Sequence, residues 1–599
     1  MWKRFLDRYC TVDTRTLGLF RVYFGLLLLT NLWDRAGGFD LISFYTNEGV
    51  LPNHWALFRP PAAGYWSLFL GFSSPGEMRW VIGFIAVVYF LYTVGWKTQW
   101  MQVLALLCYA SLNLRFLLIQ HGGNVVMNIV LVWTVFLPVG ARYSIDSLLR
   151  SLRGPPERTP DALNARAWLE HVPRVHVGFA YFGILLNFAF IYFFNTVHKG
   201  GPSWLDGTAV HYVLWQNRMA TALDGWVRMH EPFWLSPLLT WGTLFAEGSM
   251  VLVILSPWKQ RWLRTWGCIT CWGLHGGIAT LSTLGPFSYS MMAFGVLLIQ
   301  GADFDFLARK LRRPSFQRVV RFDLGDPLQH LGARVLARMD LLGLLTFEKG
   351  AKFEVVAPDG KIVSGLDGWA QATRALPLGP AWSWIFGVLF VADMVRWVIV
   401  LLGRWYLERG ERAPVVPEGP LHRKLRLAVQ TSLPALVLVA VLSQLSMENW
   451  GVPKALKLKS RPSLLTDIIE YGQIPQGWSM FAPDVPRDDS LMVVDATLVD
   501  GTHLDLLTER PPDFEAPLHG PYFMNQHWCE MHSRMRNWPQ HWRNFREYLY
   551  RLPRLKGWPA DKQVVAIEVW QVTANVPVPG STTMTNLART KLFDDKSNL

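Results

Sequence analysis

The sequence contains little charge and few cysteines for its length. Of its 599 residues, 17% are Asp, Glu, Lys or Arg, whereas 51% are hydrophobic and 30 are tryptophan. A soluble globular chain carries about 25% charged residues. The composition therefore predicts a membrane protein with several spans and with tryptophan rings at the membrane–water interfaces. Five cysteines cannot build a disulfide framework, and Cys108, Cys268 and Cys271 lie in apolar runs, where thiols pack as small hydrophobic groups.

The net charge of +13 does not indicate nucleic-acid binding, because of where the basic residues lie. They cluster between apolar segments, and the sequence carries no nucleic-acid-binding motif. Membrane topology explains the clusters, since short loops rich in Lys and Arg stay in the cytoplasm. We therefore expect membrane lipids, and no nucleic acid, as partners.

Apolar segments long enough to cross the hydrocarbon core recur along the chain. We predict about nine spans, near residues 16–33, 79–97, 99–118, 123–141, 173–197, 236–257, 263–283, 286–301 and 426–446. No small-residue cleavage site accompanies the first span, so it is expected to stay as an anchor. The basic loops 142–174 and 257–264 are expected to be cytoplasmic, which places the N-terminus inside and the loop with Lys199 outside.

Residues 384–402 are also apolar but contain Asp393 and Arg396, and a basic stretch follows them. A span here would place that basic stretch outside, so we predict a helix that lies on the cytoplasmic domain or in the interface. The span 426–446 then exports the rest of the chain. The prediction is a multi-pass protein of the cell (inner) membrane with a periplasmic or extracellular C-terminal domain.

Two stretches have the mixed pattern of soluble domains. Residues 303–412 contain a short strand at 319–323 and the segment FEVVAPDGKIV, whose Asp-Gly marks a turn. Residues 447–599 contain a hairpin pattern around Asp500-Gly501, a Trp- and Arg-rich helix near 526–550 and the strand VVAIEVWQV. The predicted fold class is an α-helical polytopic membrane protein with a small α/β cytoplasmic insert and a mixed α/β C-terminal domain. The domain boundaries are 1–302, 303–412, 413–446 for the final span, and 447–599.

Several segments of residues 14–300 resemble one family in their order along the chain. They are LGLFRVYFGLLLL, FYTNEGVLP (44–52), RFLLIQHGGN (115–124), FLPVGARYSID (136–146), VHKGGPSWLDG (197–207), Glu247 and HGGIATLSTLGPFSY (275–289). This half of the chain is similar to the horizontally transferred transmembrane domain family, which includes the vitamin K-dependent gamma-glutamyl carboxylases. The resemblance implies a helical membrane domain whose function varies among members.

The resemblance implies a role for Lys199, which precedes Trp204 and Gly207 as a lysine does in the carboxylases. There the lysine is linked to deprotonation of a reduced quinone, after which oxygenation yields a base strong enough to remove a glutamate γ-proton. A lysine desolvated at the end of a span loses its preference for the charged form, so catalysis is chemically reasonable. The alternative is a lysine that snorkels to the interface.

The remaining candidate residues of this region are expected to line a cavity with Lys199. His275 is the second catalytic candidate, because ionisable groups at membrane depth face cavities or partners. Glu247 is expected to pair with His275 or Arg115, and the alternative to a functional cavity is a structural hydrogen-bonded cluster of these groups. The cavity or substrate-binding candidates are His198, Trp204, Glu247, Arg115, Asn124 and His121.

The sequence also departs from the carboxylase pattern. Asn124 lies near the position of a carboxylase histidine and cannot carry a proton in the same way, although His121 precedes it. The long region that holds the carboxylase substrate is reduced here to residues 447–599. A metal held by Cys268, Cys271 and His275 is not predicted, since one apolar helix supplies all three groups and no fourth ligand is evident.

The cytoplasmic insert resembles the small thioredoxin-like thiol–disulfide oxidoreductases. The matching segments are FDLGDPLQH (322–330), APDGKIVSGLDGWAQATRALP and GRWYLERGER. Asp323 and Asp326 of the family motif remain, but Pro327 and His330 occupy the places of its two cysteines. The resemblance therefore implies a thioredoxin-like fold without disulfide exchange.

Three functions follow from these patterns. The first is a quinol-linked carboxylase or oxygenase that uses a reduced, vitamin K-like quinone and a peptide or small-molecule substrate. The second is a non-enzymatic scaffold or lipid-binding protein whose soluble domains recruit partners. A transporter is less well supported, because no inverted repeat is evident. The sequence leaves the oligomeric state open.

Overall fold

The computed structural model of the protein describes residues 1–58, 65–153, 157, 159–232, 234–376, 379, 419–522 and 525–597. By length and composition, the helices Thr14–Ala36, Pro75–Val94, Phe179–His198, Leu235–Leu255 and Arg423–Glu448 can each cross a membrane. A pair bent by 90°, Phe287–Val296 with Gly301–Leu311, is a sixth candidate. The prediction of a helical membrane protein is thus confirmed, whereas the count of nine spans stays a prediction.

The N-terminal half of the chain is helical except for a two-stranded ribbon. Its longer helices are α1 (Thr14–Ala36), α2 (Pro75–Val94), α3 (Thr98–Arg115), α4 (Gly122–Thr134), α5 (Ile145–Leu152), α6 (Phe179–His198), α7 (Ala222–Met229), α8 (Leu235–Leu255), α9 (Gln260–Leu281), α10 (Phe287–Val296) and α11 (Gly301–Leu311). Strands β1 (Thr11–Asp13) and β2 (Val175–Val177) pair antiparallel. Shorter helical turns lie at Trp2–Phe5, Asp40–Tyr45, Asn53–Phe58, Pro160–Asn164, Pro202–Leu205 and Ala209–Leu214.

Local chemistry sets the ends of these helices. The Asp13 carboxylate accepts the backbone N–H of Arg15 at the start of α1. Ser74 and Glu77 form a capping box at the start of α2. Inside the bundle, α4 and α6 come very close because Gly183 leaves room for the ring of Trp133.

Three predicted spans differ from the observed helices. Over 123–141 the helix α4 ends at Thr134, which leaves a short apolar helix. The apolar stretch 286–301 breaks after α10, because Asp303 accepts the N–H of Gln300 and starts α11 in a new direction. Over 99–118 the helix α3 stops at Arg115, since Phe116 is extended.

The insert forms a four-stranded sheet. Strands β3 (Arg318–Phe322), β4 (Leu345–Lys349), β5 (Glu354–Val356) and β6 (Ile362–Ser364) lie in the order β4-β3-β5-β6, with helices α12 (Pro327–Met339) and α13 (Gly365–Thr373). The β3–β4 pairing is parallel and the other two are antiparallel. The turn predicted at Asp359-Gly360 is confirmed, and it joins β5 to β6. The segments 384–402 and GRWYLERGER lie outside the described residues.

The C-terminal part combines helices with a second sheet. Its helices are α14 (Pro420–Leu427), α15 (Leu433–Glu448), α16 (Ser463–Gly472), α17 (Gln526–Asn537) and α18 (Trp542–Leu555), and its strands are β7 (Asp488–Leu498), β8 (His503–Asp505), β9 (Val564–Asn575) and β10 (Thr585–Asp594). The antiparallel sheet has the order β10-β9-β7-β8, and the hairpin at Asp500-Gly501 is confirmed. The single helix predicted over 526–550 is wrong, because the chain breaks at Pro539 into α17 and α18.

The insert and the C-terminal domain lie at opposite ends of α6. The side chain of Asn164, which precedes α6, is hydrogen-bonded to the backbone of Phe347 in the insert. At the other end, Gly201 donates its N–H to the Pro483 carbonyl at 2.8 Å. The helices between these contacts expose large apolar side chains, such as Phe245 of α8, as expected of a lipid-facing surface.

Candidate functional site

The apolar helix α6 is followed by Lys199, whose side chain is only 5% exposed. The helix stops here because two glycines and Pro202 follow. The Lys199 ammonium lies 2.5 Å from Oε2 of Glu247 on α8, and the glutamate side chain is 11% exposed. The two groups form a buried ion pair, in contrast to a lysine that snorkels into interfacial water.

An aromatic ring covers this ion pair. Nζ of Lys199 lies 4.6 Å from the ring centroid of Trp204, which is a cation–π distance. The Trp204 indole donates its N–H to the Phe481 carbonyl at 2.8 Å, which fixes the ring. Water is thereby kept from the charges, so each depends on its partner for stabilisation.

The helices α6 and α9 bring further polar side chains beside the pair. The Tyr192 hydroxyl is hydrogen-bonded to Nε2 of His275 at 2.8 Å and lies 3.5 Å from Sγ of Cys271. Lys199 is near enough for its charge to act on the His275 imidazole, and Glu247 acts in the same way on the Tyr192 hydroxyl. We call Lys199, Glu247, Tyr192, His275 and Cys271 the Lys199 cluster.

The sequence analysis did not identify Tyr192. A signal exists, since Tyr192 precedes Lys199 by seven residues, about two helical turns, and therefore lies on the same helix face. The tyrosines, phenylalanines and tryptophans of this region are so numerous that a single hydroxyl does not stand out. Its importance becomes evident only when His275 of α9 is placed beside it.

The pairing predicted for Glu247 is wrong in both of its forms. Glu247 pairs with Lys199, and His275 pairs with Tyr192. Arg115 lies elsewhere and donates to the carbonyls of Leu51 and Tyr45 at 3.1 and 3.2 Å. Which partner Glu247 takes depends on how helices distant in sequence pack together. The spacing of residues along the chain does not predict that packing.

His198 lies next to Lys199 in the sequence, but its side chain joins α6 to the C-terminal domain and does not take part in the Lys199–Glu247 ion pair. Its Nδ1 lies 2.6 Å from the Trp478 carbonyl, and its Nε2 accepts the N–H of Gly451 at 3.1 Å. The imidazole also stacks on Trp450, with ring centroids 3.8 Å apart. Both ring nitrogens are therefore satisfied, and His198 positions the backbone that carries Lys199.

His121 and Asn124 begin the helix α4. His121 Nδ1 accepts the N–H of Gly123 at 3.1 Å, and the Asn124 side chain accepts the N–H of His121. The His121 ring lies 5.6 Å from the ring of His527, which belongs to α17. These residues place the start of α4 against α17 of the C-terminal domain.

A cavity of about 280 Å³ lies between α1, the end of α9 and the start of α10. Its walls include Leu27, Asn31, Asp34, Leu284, Ser288 and Tyr289. Neither Lys199 nor His275 lines it, but Ala279, one helical turn after His275 on α9, does. The cavity and the Lys199 cluster are therefore neighbouring but separate features.

No family model, no curated protein and no solved structure matches this chain.

Proposed function

We propose that this chain is a membrane enzyme related to the vitamin K-dependent gamma-glutamyl carboxylases and that its Lys199 cluster removes a proton from a reduced quinone. The observation that carries the proposal is the buried Lys199–Glu247 ion pair under Trp204. Burying two charges costs free energy that an apolar pair of the same size would not. Intramembrane charges of this kind are usually functional.

The pair provides a proton acceptor together with a compensating charge. When an acidic hydroxyl of a substrate loses its proton, the O–H bond breaks and the proton joins the Glu247 carboxylate. Lys199 then carries a cation without a carboxylate partner, and this cation stabilises the negative charge left on the substrate oxygen. The Tyr192 hydroxyl, which is hydrogen-bonded to His275, is the next group in the cluster that can exchange a proton.

The residues present fit a hydroxylated ring. Nδ1 of His275 is buried and has no hydrogen-bond partner among the described residues. It can pair with a hydroxyl group, while the edge of Phe287 lies against the same imidazole. A reduced quinone would supply an acidic hydroxyl group at this place. His275 and Lys199 would hold it.

The experiment measures oxygen-dependent quinol oxidation by the full chain in lipid nanodiscs, with dissolved dioxygen supplied as the oxidant. Lys199→Met should lower the rate by about 100- to 1,000-fold, because the anion left by proton transfer to Glu247 loses the cation that stabilises it. Lys97→Met is the matched control, since Lys97 is an exposed lysine at the start of another helix. A Lys199→Met rate equal to that of Lys97→Met would refute the proposal, as would a wild-type protein without turnover.

The second candidate function is a lipid-binding scaffold. The 280 Å³ cavity favours it, because the cavity lies among membrane helices and does not reach Lys199. Binding of an amphiphile without any turnover is the outcome that distinguishes this candidate from the enzyme.

We also propose that the insert is a thioredoxin-like unit without redox activity. Its support is the strand order β4-β3-β5-β6 with one parallel and two antiparallel pairings. Asp326 caps α12, while His330 lies 2.8 Å from the carbonyl of Glu157 in the preceding loop. His330, which stands where the family has a cysteine, thus contributes a contact between the insert and the loop before α6.

A further inference from the structure

The wall of the cavity between α1 and α10 changes from apolar to polar along α1. On one face of α1, Leu27 lies one turn before Asn31, and Asp34 follows near the end of the helix. The cavity therefore has an apolar part at the depth of Leu27 and a polar part at the helix end. Its rim contains exposed Thr30 and Tyr289, so it opens on the surface of the bundle.

Two polar atoms of this wall are buried without a partner. Asn31 is 4% exposed and Ser288 is 1% exposed, and neither Nδ2 of Asn31 nor Oγ of Ser288 has a hydrogen-bond partner among the described residues. An unsatisfied buried polar group costs about 1–3 kcal/mol, so such groups are normally paired with protein, water or ligand. Two of them facing one cavity indicate a ligand position.

The charges around the cavity define the kind of ligand. Asp34 presents a carboxylate, whose Oδ1 accepts from the Asn525 side chain at 3.2 Å, whereas Asn31 presents an amide N–H. An anionic head would be repelled by Asp34. A ligand head group that can only accept hydrogen bonds would offer no donor to the Asp34 carboxylate. A hydroxyl group satisfies both residues, because it accepts from Asn31 and donates to Asp34.

The loop between α9 and α10 closes the inner end of the cavity. Gly285 has φ +56°, and a Cβ at this position would lie 3.2 Å from the His121 ring. The loop can therefore pass between the cavity and His121 only with glycine here. This backbone fixes Ser288, which follows in the first turn of α10.

We propose that this cavity binds a neutral amphiphile through a hydroxyl group, with Asn31, Asp34 and Ser288 as the recognising residues. The hydroxyl lies at the end of α1 and the apolar part extends along Leu27. This inference does not rest on the chemistry of Lys199. A phenolic ring and an aliphatic alcohol share the required chemistry, and a single ring suits the volume, which is at the small end for ligand pockets.

The test measures binding to the full chain in nanodiscs by competition against a fluorescent long-chain alcohol. Decyl hydroquinone and decanol should both compete, whereas the oxidised decyl quinone, which has no hydroxyl donor, should bind about 10-fold more weakly. Asn31→Leu and Ser288→Ala should each lower the affinity for decyl hydroquinone by about 10-fold. Leu26→Ala, an exposed residue of the same helix, is the control and should bind as the wild type does.

Three results would overturn the proposal. They are equal binding of the reduced and oxidised rings, tighter binding of decanoate than of decanol, and unchanged affinity in both Asn31→Leu and Ser288→Ala. Lys199→Met should keep wild-type binding of decanol, so loss of turnover and loss of binding can be told apart. Ser288→Ala removes one oxygen only, and its fold can be checked by circular dichroism.

Discussion

At the residue scale, Lys199 and Glu247 depend on each other more than on any other neighbour. Both side chains are nearly inaccessible to water, and they lie at hydrogen-bond distance. In such a place the Coulomb attraction offsets desolvation only while both charges are present. A single substitution therefore does more damage than a double one.

Thermodynamic coupling between the two residues should be large. Lys199→Met and Glu247→Leu should each lower the free energy of unfolding by about 3–5 kcal/mol, because each leaves a buried charge unpaired. The double variant Lys199→Met/Glu247→Leu should lose far less than the sum of the two. Unfolding in detergent measures all four proteins, and additive effects would show that the pair is not formed.

Asp224 lies in the first turn of α7, outside the membrane helices, and makes the stability of the fold depend on pH. The side chain is buried, and neither carboxylate oxygen has a hydrogen-bond partner among the described residues. Burial raises the pKa of Asp224 from 3.8 to about 7, although Arg228 opposes the shift. Folding thus favours the protonated acid, and stability falls as the pH rises from the unfolded pKa towards the folded pKa.

The expected loss is about 2 kcal/mol between about pH 5.5 and pH 8, since one pKa unit corresponds to 1.36 kcal/mol. Asp224→Asn should remove this slope and should be more stable than the wild type at about pH 8. Melting temperatures over this pH range test the effect. Asp206→Asn, which alters an exposed carboxylate of the same loop, should keep the wild-type slope.

At the element scale, the features set by local sequence were the predictable ones. The segment 16–33 is a long apolar run, which predicts a span, and the observed helix α1 extends it by two residues at the start and three at the end. The hairpin at Asp500-Gly501 follows from its turn chemistry alone. The break within 526–550 could also have been predicted, because Pro539 disfavours a continuous helix there.

The features set by packing between distant segments were not predictable from the sequence. Lys199 was identified from its motif, but its partner could not be chosen among the charged residues of other helices. The same limit applies to His527, whose ring approaches His121 across most of the length of the chain. Both contacts depend on helix positions that leave no local pattern.

The helix α12 of the insert is held by the loop that precedes α6. The Glu157 carboxylate, 7% exposed, accepts from Arg334 Nε at 2.7 Å and from Arg338 Nη2 at 2.6 Å. Arg338 also helps to hold the pKa of Glu157 below its usual value, against the effect of burial. Two guanidinium groups on one carboxylate thus connect the loop to the insert.

Glu157→Ala should therefore loosen α12 more than any exposed change in the insert. Breaking the buried contact should cost about 3–5 kcal/mol locally, and hydrogen exchange over Pro327–Met339 should accelerate. Glu348→Ala is the control, because its bond to Arg321 is exposed and such pairs contribute less than about 1 kcal/mol. Equal exchange in the two variants would contradict a clamping role for Glu157.

At the scale of the whole molecule, α6 separates two soluble parts that have different partners. The insert contacts the loop before α6, whereas the C-terminal domain contacts the loop after it through Trp478 and Phe481. A helix of 20 residues spans about 30 Å, the thickness of the hydrocarbon core. The two soluble parts should consequently lie on opposite sides of the membrane.

Site-directed labelling tests this arrangement together with the positive-inside prediction. Asp500→Cys and Asp359→Cys each place a thiol at an exposed turn, one in the C-terminal domain and one in the insert. A membrane-impermeant maleimide should label Asp500→Cys in intact cells and Asp359→Cys only after permeabilisation. The five native cysteines are buried or half-buried, which keeps background labelling low.

Labelling of both sites from outside would place the insert and the C-terminal domain on one side and would rule out α6 as a span. The reverse pattern would keep α6 as a span but invert the chain, so the Lys199 loop would face the cytoplasm.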